Sequence, residues 1–121
     1  MLISSQSSIF NESTTNLGIS GVYTWPARAS CGSVTGSQNT SLYNNFNVQV
    51  ITDQASLANG LVIQGSQDSA FTTPRVVTQS SVVATTPLTV TTPVTYPFYR
   101  VVLTNGAVAQ TSLSLVSSFT L

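Results

Sequence analysis

YPFYRVVLTNGAVAQTSLSLVSSFTL, residues 96–121, reads as two strands separated by a turn. In its first half Tyr99, Val101 and Leu103 fall on one side, and Phe98, Arg100 and Val102 on the other. In its second half Leu113, Leu115, Phe119 and Leu121 share a face that Ser117 interrupts. Ser112, Ser114, Ser118 and Thr120 stand opposite, with Val116 as the exception. A period of two is the mark of a strand with one face in a core. The Asn105-Gly106 pair between the halves is a hairpin signature, so the two strands are expected to close the fold as a hairpin. The wholly apolar set defines the core face, so Arg100 points away from it with its stem along the sheet. A buried arginine without a partner is costly. Arg100 is therefore expected to reach backbone carbonyls, Asp53, Asp68 or a neighbouring chain, as a structural anchor and not as a catalyst.

The same period runs through the rest of the chain, and no segment sustains apolar residues at helical spacing. In LYNNFNVQVIT, residues 42–52, Phe46, Val48 and Val50 point one way and Asn47 and Gln49 the other. DQASLANG follows, with Asn59-Gly60 at its end, and turns the chain into LVIQGS, residues 61–66. Strands this close are expected to pair antiparallel. Asp68, in SQDSAF, is placed to accept backbone N–H groups in an Asx-type turn. Residues 17–25 and 75–83 read as further strands. Residues 84–97 carry Pro87, Pro93 and Pro97, and proline confines such a segment to an edge strand or an extended connector. Residues 26–41 form a long loop. About six to eight short strands with turns between them predict an all-β fold, a single-domain antiparallel β-sandwich of jelly-roll-like arrangement. Residues 1–16 read as a polar N-terminal arm and 17–121 as the sandwich.

Composition removes several functions. Three arginines balance Glu12, Asp53 and Asp68, with no lysine or histidine and a net charge of zero. So few cations cannot make the basic stripe that nucleic acid or an anionic membrane surface requires. No apolar run is long enough to span a bilayer as a helix. The hydrophobic fraction of 41% is too high for a disordered chain. Only 5% of residues are charged, and such a surface lacks the repulsion that keeps free proteins apart, which suits life inside an assembly. The opening MLISSQSSIFNEST has neither the basic nor the apolar segment of a secretory leader. The expectation is a chain made in a host cytoplasm that stays there or enters a particle built there.

Catalysis fails for want of parts. The usual bases for a serine nucleophile, His and Lys, are missing, and no serine sits in a Gly-x-Ser-x-Gly elbow. Glu12 lies in the arm and Asp53 and Asp68 in turns, which suits loop anchoring better than a glycosidase pair. Cys31 stands alone, so neither an internal disulfide nor a zinc site is open to it. The reading is a non-enzyme without cofactor. Sugar binding is the rival, because sandwich domains present aromatic faces to glycans. Trp25, Tyr23, Tyr43 and Tyr96 are the candidate partner or glycan contacts, joined by Tyr99. Trp25 leads as the exposed ring, since Pro26 and a polar loop follow it.

Taken in order, STTNLGISGVYTW, YNNFNVQVITDQ, GLVIQGSQDS and YPFYRVVLTNGAVAQTSLSLVSSF resemble a β-sandwich module that recurs in virion proteins of large double-stranded DNA viruses and tailed phages. Residues 26–41 and 75–95 have no clear counterpart. Asp68-Ser69 stands where a typical member carries Asp-Gly. The resemblance implies a jelly-roll-like minor capsid, decoration or fibre component with no catalytic residues to transfer. Its partners would be the major capsid protein, other virion proteins or further copies of itself, and its location the virion. The module is also similar to carbohydrate-binding sandwiches, which keeps the glycan alternative in play.

Overall fold

The computed structural model describes residues 8–11, 17–29 and 44–120. These form nine strand segments: β1 (Ser8–Asn11), β2 (Val22–Thr24), β3 (Arg28–Ala29), β4 (Asn45–Thr52), β5 (Ser56–Ser66), β6 (Arg75–Ser80), β7 (Leu88–Pro93), β8 (Phe98–Asn105) and β9 (Leu113–Thr120). One sheet has the order β1-β9-β4-β7; the other runs β2-β8-β5-β6, with β3 also on β8. All pairings are antiparallel. With β2 and β3 taken as one interrupted strand, there are four strands per sheet, and the chain changes sheet at every step but β5 to β6. That is a jelly roll, as the spacing of strands and turns predicts. Ser8–Asn11, inside the stretch read as an arm, pairs with β9.

Alternation gave the faces correctly. Phe46, Val48 and Val50 of β4 and Leu113, Leu115 and Phe119 of β9 are buried from one sheet, and Leu61, Ile63, Tyr99, Val101 and Leu103 from the other. Phe46 stacks across the sandwich on Tyr99 at 5.0 Å and packs on Phe119 at 4.8 Å. Each such side chain contributes about 1.5–3 kcal/mol on leaving water. The Tyr99 hydroxyl accepts the N–H groups of Thr95 (2.7 Å) and Tyr96 (3.2 Å) and donates to the Pro93 carbonyl (3.2 Å). A core residue thereby clamps the crossing from β7 to β8. The ring of Tyr96 lies so close over Gly65 that a Cβ there would come within 2.4 Å of it.

Two pairings expected from sequence do not form. β4 and β5 lie in different sheets, and so do β8 and β9. Their apolar faces are buried by facing one another across the sandwich, whereas a hairpin would place those strands side by side and leave both faces needing cover. Asn105-Gly106 thus begins a crossing between sheets, not a hairpin. The first strand region shrinks to Val22–Thr24, because residues 17–21 make a turn closed by the Gly21 N–H on the Gly18 carbonyl (3.0 Å). β7 is an edge strand flanked by Pro87 and ending at Pro93, where a missing N–H costs least.

Candidate functional site

The connections β1–β2, β4–β5, β6–β7 and β8–β9 meet at one end of the sandwich, and a polar network ties them together. Asn105, fully buried at the end of β8, donates through Nδ2 to the carbonyls of Leu17 (3.3 Å), Gly18 (2.9 Å) and Val108 (2.8 Å). Gln110 accepts the Leu17 N–H at Oε1 (3.0 Å) and returns its own backbone N–H to the Leu17 carbonyl (2.9 Å). Ser20 donates its N–H to the Gly106 carbonyl (2.9 Å). Ser56 and Val82 exchange backbone and hydroxyl bonds (3.0 and 2.9 Å), and the Asn59 N–H reaches Ser81 Oγ (2.9 Å).

Asp53 latches the same end. Its carboxylate accepts the Thr111 N–H (2.9 and 3.1 Å to its two oxygens), the Thr111 hydroxyl (2.6 Å) and the Ser112 N–H (3.0 Å). The Thr111 hydroxyl first, then the Ser112 N–H and weaker donors, pull its pKa from 3.8 to about 2 against a smaller opposing effect of burial.

From this tied framework four apolar side chains project, Ile19, Val83 and Val108 from three of the connections and Leu57 from the start of β5 just after the fourth, each between 54% and 68% exposed. Three of the four residues other than glycine that hold a positive φ, Ser20, Asn59 and Thr85, are also here among the described residues. A β-branched threonine at φ 58° is strained and is held by its surroundings, here by its N–H on the Thr52 carbonyl (2.7 Å). Around the corner, on the outer face of the β1-β9-β4-β7 sheet, two shallow hollows of about 270 and 230 Å³ share Ile51 and Ser114.

The opposite end holds Asp68 and Arg100, but not as a pair. Asp68 closes its own loop: Ser66 Oγ (2.9 Å), Thr72 Oγ1 (2.7 Å) and the Thr72 N–H (3.2 Å) all donate to it. The Thr72 hydroxyl above all, then Ser66, lowers its pKa. Arg100 instead donates from Nε to Gln64 Oε1 (2.7 Å), and its guanidinium carbon lies 4.3 Å from the centre of the Phe71 ring. Gln64 is its cross-strand neighbour on β5, so the amide lies within reach while Asp53 sits at the far end of the sandwich.

The expectation that Trp25 is an exposed ring is corrected. Trp25 is only 3% exposed and belongs to the core, because β2 and β3 both pair with β8 and bind the chain between them to the same strand. Its backbone N–H donates to the Val101 carbonyl (2.9 Å) and its ring meets Tyr23 edge-on at 4.8 Å. Tyr23 is 38% exposed at the sheet edge, and Tyr96 is half-buried over Gly65 and edge-on to Tyr99. Tyr43, Cys31, Glu12 and residues 30–41 of the long loop lie outside the described residues. Asn105, Gln110, Phe71 and Gln64 carry these networks without a sequence signal beyond the Asn-Gly dipeptide, whose local statistics point to a turn.

A family model described as "Uncharacterised protein YqxG N-terminal domain" matches residues 1–120. No curated protein matches the chain. Among solved structures, the PBSX exported protein XepA superposes with a TM-score of 0.74 at 18% identity, over 98% of this chain and 38% of that one. The chain thus spans well under half of that protein. At this identity the likeness concerns the fold. PirA is similar at a TM-score of 0.47, with 10% identity over 93% of this chain and 91% of its own. A protein of Bacillus endospore appendages, described as disulfide-linked pili, reaches 0.40, with 16% identity over 100% and 96%. Neither of these two is close enough to carry an argument.

Proposed function

The chain belongs to the family described as YqxG N-terminal domain, and we propose that it is a non-enzymatic structural module of a phage-related assembly that works by docking on other proteins. The observation that carries this reading is the four-connection end. It displays Ile19, Leu57, Val83 and Val108 to solvent while Asn105, Gln110 and Asp53 hold the backbone beneath them rigid. Apolar side chains exposed on a fixed frame lose little conformational entropy when covered, which is what a docking surface needs. The fold likeness to a PBSX phage protein supports the phage setting, and the scarcity of charge suits a life among neighbours. A component of the virion, contacting other particle proteins, is the specific form of this proposal. The last residue described, Thr120, pairs with Asn45 at the opposite end, so a following domain would leave this surface free. The glycan alternative has lost Trp25, the ring it leaned on.

The test is a double variant, Ile19→Ser with Val108→Ser, carried into particles in place of the native chain. Both side chains are exposed, so the thermal transition should stay within about 2 °C of wild type. Incorporation should fall by about tenfold or more, the loss of two apolar anchors. Wild-type incorporation would remove this end as the docking surface.

A further inference from the structure

We propose that Arg100 is a preorganised receptor for a carboxylate side chain of a partner protein, seated on the outer face of the β2-β8-β5-β6 sheet. The identity of the partner rests on the docking function above; the receptor itself stands on its own geometry. Arg100 is half-buried, and two contacts fix its guanidinium plane. Gln64 Oε1 takes the Nε–H at 2.7 Å, and the Phe71 ring lies beneath at 4.3 Å. Among the described residues its terminal nitrogens bond to nothing, and neither belongs to the buried polar atoms without a partner. A guanidinium held this way offers two parallel N–H donors in the fork that matches a carboxylate.

The support beneath Arg100 is itself held against a cost. Phe71 is buried yet has φ 52°, a left-handed conformation that a bulky residue adopts only when its surroundings enforce it. The enforcement comes from the Asp68 loop, through the Phe71 N–H on the Asp68 carbonyl (3.1 Å) and the carboxylate bonds to Ser66 and Thr72. Those bonds occupy Asp68, and among the described residues it makes no bond to Arg100. Strain maintained to place one ring under one cation points to a use for that cation.

The strand register runs Arg28-Tyr99-Gly65-Arg75 in one row and Arg100-Gln64-Val76 in the next. Successive rows take opposite faces, so the row of the buried Tyr99 is turned to the core side and that of Arg100 outward. Arg100 is therefore the cation that these two rows present on the outer face. Val76, 60% exposed, shares the row with Arg100 and supplies the apolar neighbour. The fitting partner segment is an aspartate or glutamate beside an apolar side chain.

The isolated, isotopically labelled chain tests this with sodium acetate as the carboxylate probe and sodium phosphate as its competitor class, at constant ionic strength. Nuclear magnetic resonance signals of the three arginine Nε–H groups, assigned by Arg→Lys variants, report the site. Acetate should shift the Arg100 signal along a saturable curve and give no saturable response at the half-buried Arg28 or the exposed Arg75. Phe71→Leu should weaken acetate by about threefold, the share of the stacked ring. Arg100→Lys should abolish the accompanying saturable shifts of the Gln64 and Val76 amides. Equal response by all three arginines, no saturation at Arg100, or saturation by phosphate but not acetate would each overturn the proposal. None of these outcomes bears on particle association, so the two readings fail separately.

Discussion

Replacing Asn105 with aspartate changes one atom of shape and reverses the chemistry at the centre of the four-connection end. The asparagine Nδ2 sits among three carbonyl oxygens at 2.8–3.3 Å, and the side chain is inaccessible to water. A carboxylate there aims negative charge at three negative dipole ends and removes both donors. Ionised, buried and unpaired, it would cost several kcal/mol, so the folded protein keeps it protonated and its pKa rises well above the usual value near 4. As a neutral acid it retains one donor in place of two, a loss of about 1–2 kcal/mol. Below pH ~4 the variant should trail wild type by that amount alone. Above it, the unfolded chain ionises while the folded one does not, and the deficit grows by about 1.4 kcal/mol per pH unit until the folded pKa is reached. By pH 7 it should have grown by about 4 kcal/mol, to about 5–6 kcal/mol, most of the stability of a small domain. Urea titrations followed by the fluorescence of Trp25, the single tryptophan and a buried one, measure this directly. A deficit that does not change between pH 3.5 and 7 would refute the caged geometry of Asn105.

Gly65→Ala forces a methyl group to within 2.4 Å of the Tyr96 ring. It should lower stability by about 1–3 kcal/mol, less a few tenths regained from the stiffer unfolded chain; an unchanged melting temperature would mean that Tyr96 does not cover that backbone. Asp53 titrates lower in the folded state than the 3.8 of an ordinary aspartate, so its contribution is present above that value and drains away as pH falls toward about 2. Asp53→Asn should therefore melt below wild type at pH 7 and converge with it near pH 2, as read by circular dichroism. Asp68 is shifted in the same direction, and Asp68→Asn should converge likewise.

Strand faces were legible because alternation is a local property: Phe46, Val48 and Val50, or Tyr99, Val101 and Leu103, declare a buried side whatever lies beside them. Strand partners were not. Asn59-Gly60 and Asn105-Gly106 promise hairpins by composition, yet in a jelly roll successive strands mostly enter opposite sheets, and pairing such as β4 with β9 spans more than sixty residues (Asn47 with Ser118, for one). Trp25 misled for the same reason. A proline and a polar loop after it suggested exposure, but the backbone bond to Val101 in β8 decides where the ring goes. Arg100 was placed on the correct face, and its partners were missed because Gln64 and Phe71 bear no charge to attract notice. The proposed docking end has no contiguous sequence signature at all. Its four apolar residues are spread from Ile19 to Val108, and only the meeting of four connections assembles them.

We propose that this domain is part of a phage-related particle, held there by protein contacts. Particles purified through a density gradient from a host that encodes the chain, then digested and quantified by mass spectrometry, test it most directly. The chain should appear in the particle fraction at a constant ratio to the major structural protein from one preparation to the next. Recovery of the chain only in particle-free fractions, alongside complete particles that lack it, would contradict the account.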